Sequence, residues 1–384
     1  MATSTSRNSA EVDLAALLCV DEFEELARER LSRMAMEYAV AGVADEATLR
    51  ENRAAFERLR LVPRVFVDVS RMDTSVTLFG RRHDFPILLA PCSYQKLTHP
   101  DGELAVVAGA NLAGATFITA TFASVSLEDT AAASRQPLWF QLYIHPDREF
   151  TRDLVARTEA AGYEALVVTA DVPVNGPRYR ELRGGFALPA GVERVNLEPL
   201  GRSAVSDAHR PKGRDIYSAV RAPDVSWKDL ELLKTGTRLP VAVKGILHPD
   251  DARLAVEHGA DAIYVSNHGG RSLDTVPSAL EALPRIADRV AGARPLLYDG
   301  GIRRGTDIVK ALALGATAVA VGRPWIYGLA VAGPAGVARV VEILRTELEM
   351  AMGLLGRPGI AVIDRTILWE TSGLWQTSRL WQDS

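Results

Sequence analysis

The stretch PLLYDGGIRRGTDIVKALALGATAVAVGR, residues 295–323, holds the unit that decides the fold. Pro295–Asp299 and Ala318–Gly322 are short apolar runs of strand length, and the helical stretch Gly305–Leu314 separates them. Near-continuous apolar strands that alternate with helices are typical of a parallel sheet buried on both faces. The stretch therefore predicts two neighbouring parallel strands joined by a helix.

The same alternation runs back along the chain to Pro86 and predicts a closed barrel. Eight such units form a (β/α)8 TIM barrel of about 250 residues, a fold of the α/β class. Residues 86–356 accommodate it once a long loop after the fourth strand, about 172–224, is set aside. The predicted strands are Pro86–Pro91, Thr116–Ala120, Leu138–Ile144, Ala165–Asp171, Pro240–Lys244, Ala262–Asn267, Pro295–Asp299 and Ala318–Gly322.

The remaining residues are predicted to flank the barrel. Residues 20–85 form an N-terminal helical cap and a pre-barrel segment, with one helix that runs to a stop at Gly42 and a second over Asp45–Arg58. Residues 1–19 are expected to be a flexible tail, and residues 357–384 a C-terminal tail. The loop 172–224 is either a disordered insertion or an active-site lid; we favour a lid, because the loop leaves a strand at the carboxyl end of the barrel, where active sites lie.

Composition excludes several classes of protein. The chain has 384 residues, 44 basic and 48 acidic, with 47% hydrophobic residues, which excludes a disordered chain, a collagen-like fibre and a coiled-coil rod. A net charge of −4 gives no general reason to expect a nucleic-acid partner or an anionic membrane surface. Two cysteines exclude a disulfide framework and fit a reducing compartment. The chain shows no signal-like or membrane-length apolar run, so we expect a cytoplasmic protein.

The tripeptide His-Pro-Asp occurs three times, at 99–101, 145–147 and 248–250. Histidines beside carboxylates could be metal ligands, but each copy follows a strand and precedes a helix. Proline suits the first turn of a helix, and aspartate suits its positive end. We therefore interpret the tripeptides as helix starts and expect no metal site.

Polar residues are predicted at nearly every strand end on the carboxyl side of the barrel. After strands seven and eight, glycines stand beside arginines, which favours a phosphate site because open backbone N–H groups and guanidinium forks bind phosphate oxygens. Tight turns with solvated arginines are the alternative. The residues concerned are Asp299, Gly300, Gly301, Arg303, Gly322 and Arg323.

Four further strand-end residues could carry chemistry. His268 can act as a base near neutral pH, and Asp171 could orient its imidazole. Arg271 could bind a carboxylate through two hydrogen bonds. Lys244 closes a buried strand, where it could balance a carboxylate, hold charge for a ligand or form a Schiff base.

These residues and their spacing resemble the FMN-dependent L-2-hydroxy acid oxidase/dehydrogenase family. The resemblance covers about residues 20–356, and its most specific stretches are Gln141-Leu-Tyr143, Val265-Ser-Asn-His268-Gly-Gly-Arg271-Ser-Leu-Asp274 and Asp299-Gly-Gly-Ile-Arg303-Arg-Gly-Thr-Asp307. It implies bound FMN and oxidation of a 2-hydroxy acid to a 2-oxo acid, with hydride passing to flavin N5. Because the loop 172–224 lacks the apolar patch of the membrane-binding members of this family, we expect a soluble enzyme that uses O2. The resemblance also suggests a tetramer or larger homo-oligomer.

The resemblance also implies roles for individual residues. His268 matches the base and Asp171 its partner, while Tyr143 matches the phenol that binds the 2-hydroxyl. Tyr38, Arg178 and Arg271 match groups that bind the substrate carboxylate, and Phe122 stands over the substrate. Lys244 matches the lysine beside flavin N1/O2. The remaining cofactor positions are Ala90, Pro91, Ser93, Ala120, Gln141 and Thr169 around the ring, Asp299 at the ribityl chain, and Gly301, Arg303, Gly322 and Arg323 at the phosphate. Ser266 lies next to these positions in the sequence, but we do not include it among the predicted site residues.

Departures from the family pattern leave the substrate open. Phe122 stands where many members have tryptophan, and Ser93 where alanine or glycine is common. These changes argue against a strict glycolate preference and permit a longer aliphatic or aromatic acid. Three alternatives remain: a soluble dehydrogenase with another acceptor, a cofactor-free phosphate-sugar aldolase or isomerase that uses Lys244, and a non-catalytic barrel that binds a phosphorylated ligand.

Overall fold

The protein is a closed eight-stranded parallel barrel surrounded by helices, in a computed structural model that describes residues 12–200 and 216–369. The barrel prediction is confirmed, and each strand falls within its predicted range or within two residues of it. Strands are numbered along the chain after a short hairpin, β1 and β2. The barrel strands are β3 (Ile87–Leu89), β4 (Phe117–Ala120), β5 (Leu138–Leu142), β6 (Ala165–Thr169), β7 (Val241–Ile246), β8 (Ala262–Val265), β9 (Leu296–Asp299) and β10 (Ala318–Val321), with β10 pairing β3 to close the ring.

Two separate apolar cores explain why these strands are apolar along both faces. Inside the barrel, side chains such as Ile118, Trp139 and Leu297 fill the interior. Between barrel and helices, a larger cluster includes Phe117 and Val319. Alternate residues of one strand point to opposite faces, so both faces of each strand must be apolar.

A hairpin that the sequence analysis missed covers the amino end of the barrel. Strands β1 (Val76–Leu78) and β2 (Arg81–His83) are antiparallel and turn at Phe79 and Gly80, both at positive φ. Leu78 is buried in the inner core, and the Phe79 ring lies 5.1 Å from the Trp139 ring. The functional cavity therefore lies at the opposite end of the barrel.

The N-terminal cap contains three helices, α1 (Val20–Arg30), α2 (Arg33–Val40) and α3 (Ala47–Arg58). The prediction of one continuous helix to Gly42 is wrong. Leu31 is extended, and the Ser32 hydroxyl accepts a hydrogen bond from Ala35 N at 3.2 Å. Serine at an N-cap starts a new helix by satisfying a free backbone N–H group. The break turns α2, which carries Tyr38, towards the barrel mouth.

The other helices of the described residues lie between and after the barrel strands. They are α4 (Glu103–Ala113), α5 (Leu127–Ala133), α6 (Arg148–Ala160), α7 (Tyr179–Arg183), α8 (Trp227–Gly236), α9 (Pro249–Glu257), α10 (Ala279–Val290), α11 (Gly305–Ala313) and α12 (Arg323–Leu354). Of these, α7 lies within the predicted loop 172–224 and was not expected there. By length and composition α12 could cross a bilayer, but non-helical angles at Ala332 and Gly333 divide it, and more than half of its apolar stretch is buried in the protein. It is therefore best described as a kinked core helix.

Two of the His-Pro-Asp tripeptides begin helices as predicted. The Asp147 carboxylate accepts hydrogen bonds from Glu149 N and Phe150 N at the start of α6. Pro249 is the first residue of α9, whose cap is His248. The copy at 99–101 is followed by Gly102, the cap of α4. Within the described ranges, no group of histidine, cysteine and acidic side chains forms a metal-binding cluster.

The predicted lid loop and both tails lie partly outside the described residues. Within the loop 172–224, the described residues contain α7 and a 3-10 helix, Val195–Leu200, and residues 216–224 return to the barrel mouth. Beyond the barrel, Ile367 and Leu368 are buried, and Leu61 forms a β-bridge with Leu368. Residues 1–11, 201–215 and 370–384 lie outside the described residues.

The Asp274 carboxylate joins the cap to the loop after β8. It accepts hydrogen bonds from Asp45 N at 3.0 Å, Ala47 N at 3.2 Å and Thr48 N at 2.8 Å, at the start of α3. The pKa of Asp274 is lowered: burial opposes the shift, but these N–H donors outweigh it. A carboxylate at a helix start satisfies free N–H groups and favours the positive end of the dipole.

We expect Asp274→Asn to lower the free energy of unfolding by about 1–3 kcal/mol, because a neutral amide replaces a charged acceptor of several hydrogen bonds. Urea denaturation of the apoprotein measures the change. Asp153→Asn, at an exposed position of α6, is the matched control and should change stability by less than about 0.5 kcal/mol. Equal losses in both variants would contradict the role of Asp274.

Candidate active site

The predicted site residues come together at the carboxyl ends of the barrel strands, around one cavity of about 550 Å³. All of them line this cavity except Asp171, which lies behind His268. The lining set is Tyr38, Ala90, Pro91, Ser93, Ala120, Phe122, Gln141, Tyr143, Thr169, Arg178, Lys244, His268, Arg271, Asp299, Gly301, Arg303, Gly322 and Arg323.

A buried network joins the ends of β7, β8 and β9. Lys244 Nζ donates to Ser266 Oγ at 2.8 Å and lies 3.3 Å from Asp299 Oδ2. Ser266 Oγ donates to Asp299 Oδ1 at 2.5 Å and accepts from His268 N at 3.0 Å. Ser266 was not counted among the site residues, although it stands inside the motif that was recognised. Its single hydroxyl fixes the lysine, the aspartate and the backbone of the histidine.

The state of Lys244 argues against a Schiff base. Burial acts to lower the pKa of its ammonium, but the Asp299 and Asp171 carboxylates outweigh burial, so the pKa lies above its ordinary value. A Schiff-base lysine needs a lowered pKa, because the neutral amine is the nucleophile. Lys244 is instead a fixed positive charge at the cavity wall.

The structure brings the side chains of His268 and Asp171 into direct contact, as their predicted pairing requires. His268 Nδ1 lies 2.9 Å from Asp171 Oδ1, which leaves Nε2 for the cavity. His268 has a φ of 58°, a left-handed conformation that is uncommon for residues other than glycine. A Cβ on Gly245 would lie 2.5 Å from Asp171 atoms, so only glycine lets the carboxylate approach β7. The left-handed backbone at His268 and the glycine at position 245 thus allow the imidazole and the carboxylate to meet.

Electrostatics keep the imidazole of His268 neutral near pH 7. Burial is the largest influence and lowers its pKa; Lys244 and Arg271 lower it further, while Asp171 opposes them. For Asp171, burial acts to raise the pKa, but the hydrogen-bonded contact with His268 and the Lys244 charge outweigh it, so the pKa lies below its ordinary value and the carboxyl stays ionised. A neutral imidazole held by an ionised carboxylate can act as a general base.

Two arginines share one buried carboxylate on the opposite wall. Arg271 Nη2 donates to Glu181 Oε1 at 2.8 Å, and Arg178 Nε lies 2.8 Å from the same oxygen. Arg271 Nη1 also donates to the carbonyl oxygens of Tyr38 at 2.8 Å and Ala41 at 2.7 Å. Glu181 was not predicted from the sequence. It holds both guanidinium groups at the place where a substrate carboxylate is expected.

The predicted phosphate cradle contains two poorly matched cations. Among the described residues, the hydrogen-bond acceptors of Arg323 are the carbonyl oxygens of Ala39, Ala41 and Gly269, and burial lowers its pKa to about 10. Arg303 Nε is buried without a hydrogen-bond partner in the part of the chain that the structure describes, and its Nη2 lies 3.9 Å from Glu24. Buried guanidinium groups of this kind fit an anion such as phosphate.

The groups expected around the flavin ring also fit it. Gln141 accepts a hydrogen bond from Thr121 N at 3.2 Å and donates to Thr169 Oγ1 at 3.0 Å, which fixes its amide at the cavity wall. The apolar wall formed by Ala90 and Pro91 suits a flat ring. The cavity can therefore hold FMN, with Lys244 and the amide of Gln141 at the ring and arginines at the phosphate.

Several cavity residues were not predicted from the sequence, among them an aromatic residue and two arginines. Tyr94, Arg194 and Arg221 line the cavity close to Phe122 and Tyr143. Arg194 and Arg221 belong to the loop 172–224, where no periodic pattern relates a residue to the barrel. The abundance of arginine in that loop was the one signal that pointed to them.

Fold and site together define a barrel oxidoreductase that holds a phosphate-bearing flavin. The model of the FMN-dependent dehydrogenase family matches residues 27–370, so the chain belongs to this family. An L-lactate oxidase from Nostoc sp. is 47% identical over 90% of this chain and 96% of its own length. A 2-hydroxyacid oxidase from Dictyostelium discoideum is 44% identical over 93% of this chain and 91% of its own length.

Solved structures of mandelate oxidase have the same fold. The one with (S)-2-phenylpropionate superposes with a TM-score of 0.83, at 41% identity, over 92% of this chain and 98% of that one. The predicted family, fold and FMN cofactor are therefore confirmed.

We expect Arg303→Gln to weaken FMN binding about 10- to 100-fold, because loss of a charged hydrogen bond costs about 1.5–3 kcal/mol. Titration of the apoprotein with FMN, followed by flavin fluorescence, measures the dissociation constant. Riboflavin, which lacks the phosphate, should bind wild type and variant equally. Arg304→Gln, the more exposed neighbour, is the control variant. Equal FMN affinity in all three proteins would contradict a phosphate role for Arg303.

Proposed function

We propose that this protein oxidises an L-2-hydroxy acid to the 2-oxo acid and passes the electrons to O2, with formation of H2O2. The observation that carries the proposal is the His268–Asp171 pair, 2.9 Å apart, at a cavity whose other wall presents Arg178 and Arg271. A base and a carboxylate-binding wall at one cavity suit removal of a hydroxyl proton from a bound acid.

The carboxylate of the substrate would bind to Arg178 and Arg271. Glu181 already orients both guanidinium groups, so little side-chain freedom is lost when the acid arrives. Tyr38, at the end of α2, adds a phenol to the same wall; burial is the main reason that its pKa lies above the ordinary value, so it remains a hydrogen-bond donor. These contacts fix which face of C2 meets the flavin.

His268 would take the hydroxyl proton at Nε2, because Nδ1 is engaged with Asp171. Tyr143 would donate to the hydroxyl oxygen: burial raises the pKa of its phenol, so it keeps its proton. When FMN is bound, it supplies the acceptor for the hydride that leaves C2, and the C–O single bond becomes the C=O bond of the product. The imidazolium that forms on His268 is then stabilised by the Asp171 carboxylate at its Nδ1.

Lys244 contributes a fixed positive charge. Its ammonium is held by Ser266 and Asp299 at the wall expected to face the flavin ring. A preorganised charge stabilises negative charge that develops beside it without reorganisation of the site. Lys244 would therefore favour the reduced form of a bound flavin, and it needs no covalent bond to do so.

O2 is the acceptor that the relatives support, since they are named L-lactate oxidase, 2-hydroxyacid oxidase and glycolate oxidase. O2 takes up two electrons and two protons to give H2O2. A dehydrogenase that uses another acceptor is the second candidate, because the family model that matches is named for dehydrogenases. The homotetramer and the cytoplasmic location stay predictions.

We expect an L-2-hydroxy acid to bleach the flavin absorbance of the anaerobic holoenzyme, and the D-enantiomer to leave it unchanged. Stopped-flow spectroscopy with L-lactate, glycolate and L-mandelate measures the reduction. Admission of O2 should then restore the colour and produce one H2O2 per turnover. Bleaching without recovery in O2 would favour the dehydrogenase, and no bleaching by any 2-hydroxy acid would exclude the proposed function.

We expect His268→Gln to bind FMN normally and to lose about 10²–10⁴-fold in the rate of flavin reduction, the usual contribution of a general base. In the wild type, kcat/KM should rise with pH as His268 loses its proton. Because the pKa of His268 lies below its ordinary value, the midpoint of this rise should lie below about pH 6.5. Near-normal flavin reduction in the variant would exclude His268 as the base.

A further inference from the structure

A continuous row of aromatic rings forms one wall of the substrate side of the cavity. Phe186 stacks on Tyr38 with ring centroids 4.7 Å apart, and Tyr38 lies 5.8 Å from Tyr94. Tyr94 stacks on Phe122 at 6.3 Å, and Phe122 lies 5.1 Å from Tyr143. The row runs from the carboxylate-binding wall to the phenol expected at the 2-hydroxyl, so a bound acid lies along it.

Two arginines beyond the carboxylate-binding pair lie against this row. The guanidinium carbon of Arg194 is 5.1 Å from the centre of the Phe122 ring, and its Nε donates to Tyr94 Oη at 2.8 Å. The guanidinium carbon of Arg221 is 5.4 Å from the centre of the Tyr143 ring, and its Nη2 donates to Asn175. The cation–π contacts and these hydrogen bonds hold both guanidinium groups at the cavity.

Neither arginine has a carboxylate partner among the described residues. Their polar partners there are a phenol and an amide, whereas Arg178 and Arg271 share Glu181. Arg221 is only 9% exposed, and its Nε is buried with no hydrogen-bond partner in residues 12–200 and 216–369. A buried guanidinium is costly unless an anion matches it.

A monocarboxylic acid leaves this part of the cavity positively charged. Its one carboxylate is expected at Arg178 and Arg271, and its 2-hydroxyl at Tyr143 and His268. Arg194, stacked on Phe122, then lies where the substituent on C2 must go. Arg221, over Tyr143, lies beside it; burial lowers the pKa of Arg221, and the Arg178 charge lowers it further, against the opposing effect of Tyr143. An anionic group on that substituent would match both cations.

We infer that the preferred substrate is a 2-hydroxy dicarboxylic acid, whose second carboxylate binds to Arg194 and Arg221. This inference rests on the proposed oxidation and specifies its substrate class. Arg194 and Arg221 are then specificity-determining residues. The aromatic row serves mainly to hold their guanidinium groups, and it contacts the carbon chain between the two carboxylates.

The wild-type holoenzyme tests the inference with pairs of acids of matched chain length. L-malate is compared with L-2-hydroxybutyrate, and L-2-hydroxyglutarate with L-2-hydroxyvalerate, each pair differing in the terminal carboxylate. Anaerobic flavin reduction and steady-state turnover give kcat/KM for each acid. At least one diacid should exceed its partner by tenfold or more, mainly through a lower KM, because the second carboxylate contributes binding.

Variants assign the preference to the two arginines. Arg194→Gln and Arg221→Gln should each lower the diacid-to-monoacid ratio of kcat/KM at least tenfold, and Arg221→Lys, which keeps the charge, should retain part of it. Arg152→Gln, on the exposed face of α6, is the matched control and should keep the wild-type ratio. Binding of the product-like diacids oxaloacetate and 2-oxoglutarate to the oxidised holoenzyme, read from the flavin difference spectrum, should weaken in parallel.

The outcomes separate this inference from the function on which it rests. If L-lactate, L-mandelate or the matched monoacids are oxidised as efficiently as the diacids, the dicarboxylate inference is wrong and the proposed oxidation stands. If diacids are preferred but both glutamine variants keep the wild-type ratio, the assignment to Arg194 and Arg221 is wrong. If no 2-hydroxy acid reduces the flavin, the proposed function fails, and the inference fails with it.

Discussion

The buried ion pair of Lys244 and Asp299, joined by the Ser266 hydroxyl, is the interaction on which the site depends. An ammonium group inside the barrel mouth is stable only with a counter-charge and with hydrogen bonds to its protons. Meeting that need draws the ends of β7, β8 and β9 together. Ser266 also accepts a hydrogen bond from the backbone N–H of His268, so the same hydroxyl that binds the lysine sets the position of the histidine.

Matching of buried charge explains the rest of the cavity in the same way. Arg178 and Arg271 are matched by Glu181, and His268 by Asp171, inside the protein. Arg303 and Arg323 are not matched by carboxylates at hydrogen-bond distance among the described residues, and there the phosphate of FMN fits. The unmatched cations Arg303 and Arg323 thus indicate where the phosphate fits.

The barrel was predictable because it depends on a pattern that each strand repeats. A strand buried on both faces must be apolar at nearly every position, and helices between such strands require a parallel sheet. The residues at strand ends were predictable for a related reason: the fold brings all carboxyl ends to one rim, wherever they lie in the chain. His268, Lys244 and Asp299 are brought together in this way.

Features that depend on tertiary contacts were missed. The hairpin β1–β2 has three residues in each strand, which is too few to show the alternation of apolar and polar residues that predicts a strand. Its burial depends on Trp139, which lies far along the chain. The break after Leu31 depends on one serine cap within an otherwise continuous apolar stripe. Glu181, Arg194 and Arg221 lie in the loop 172–224, whose sequence has no periodic pattern of apolar residues from which its path could be predicted. Their partners can be read only from coordinates.

The Arg271 guanidinium has a further consequence, because it is held by the carbonyl oxygens of Tyr38 and Ala41 in the cap. A carboxylate bound between Arg271 and Tyr38 bridges the first helices of the chain and the barrel. A ligand that binds only when the N-terminal helices are packed on the barrel must stabilise that packed state. The fraction of molecules in which these helices separate from the barrel therefore falls as the site fills. Amide hydrogen exchange across residues 33–58 would therefore slow as the acid binds, so the N-terminal helices report the occupancy of a site whose chemistry lies in the barrel.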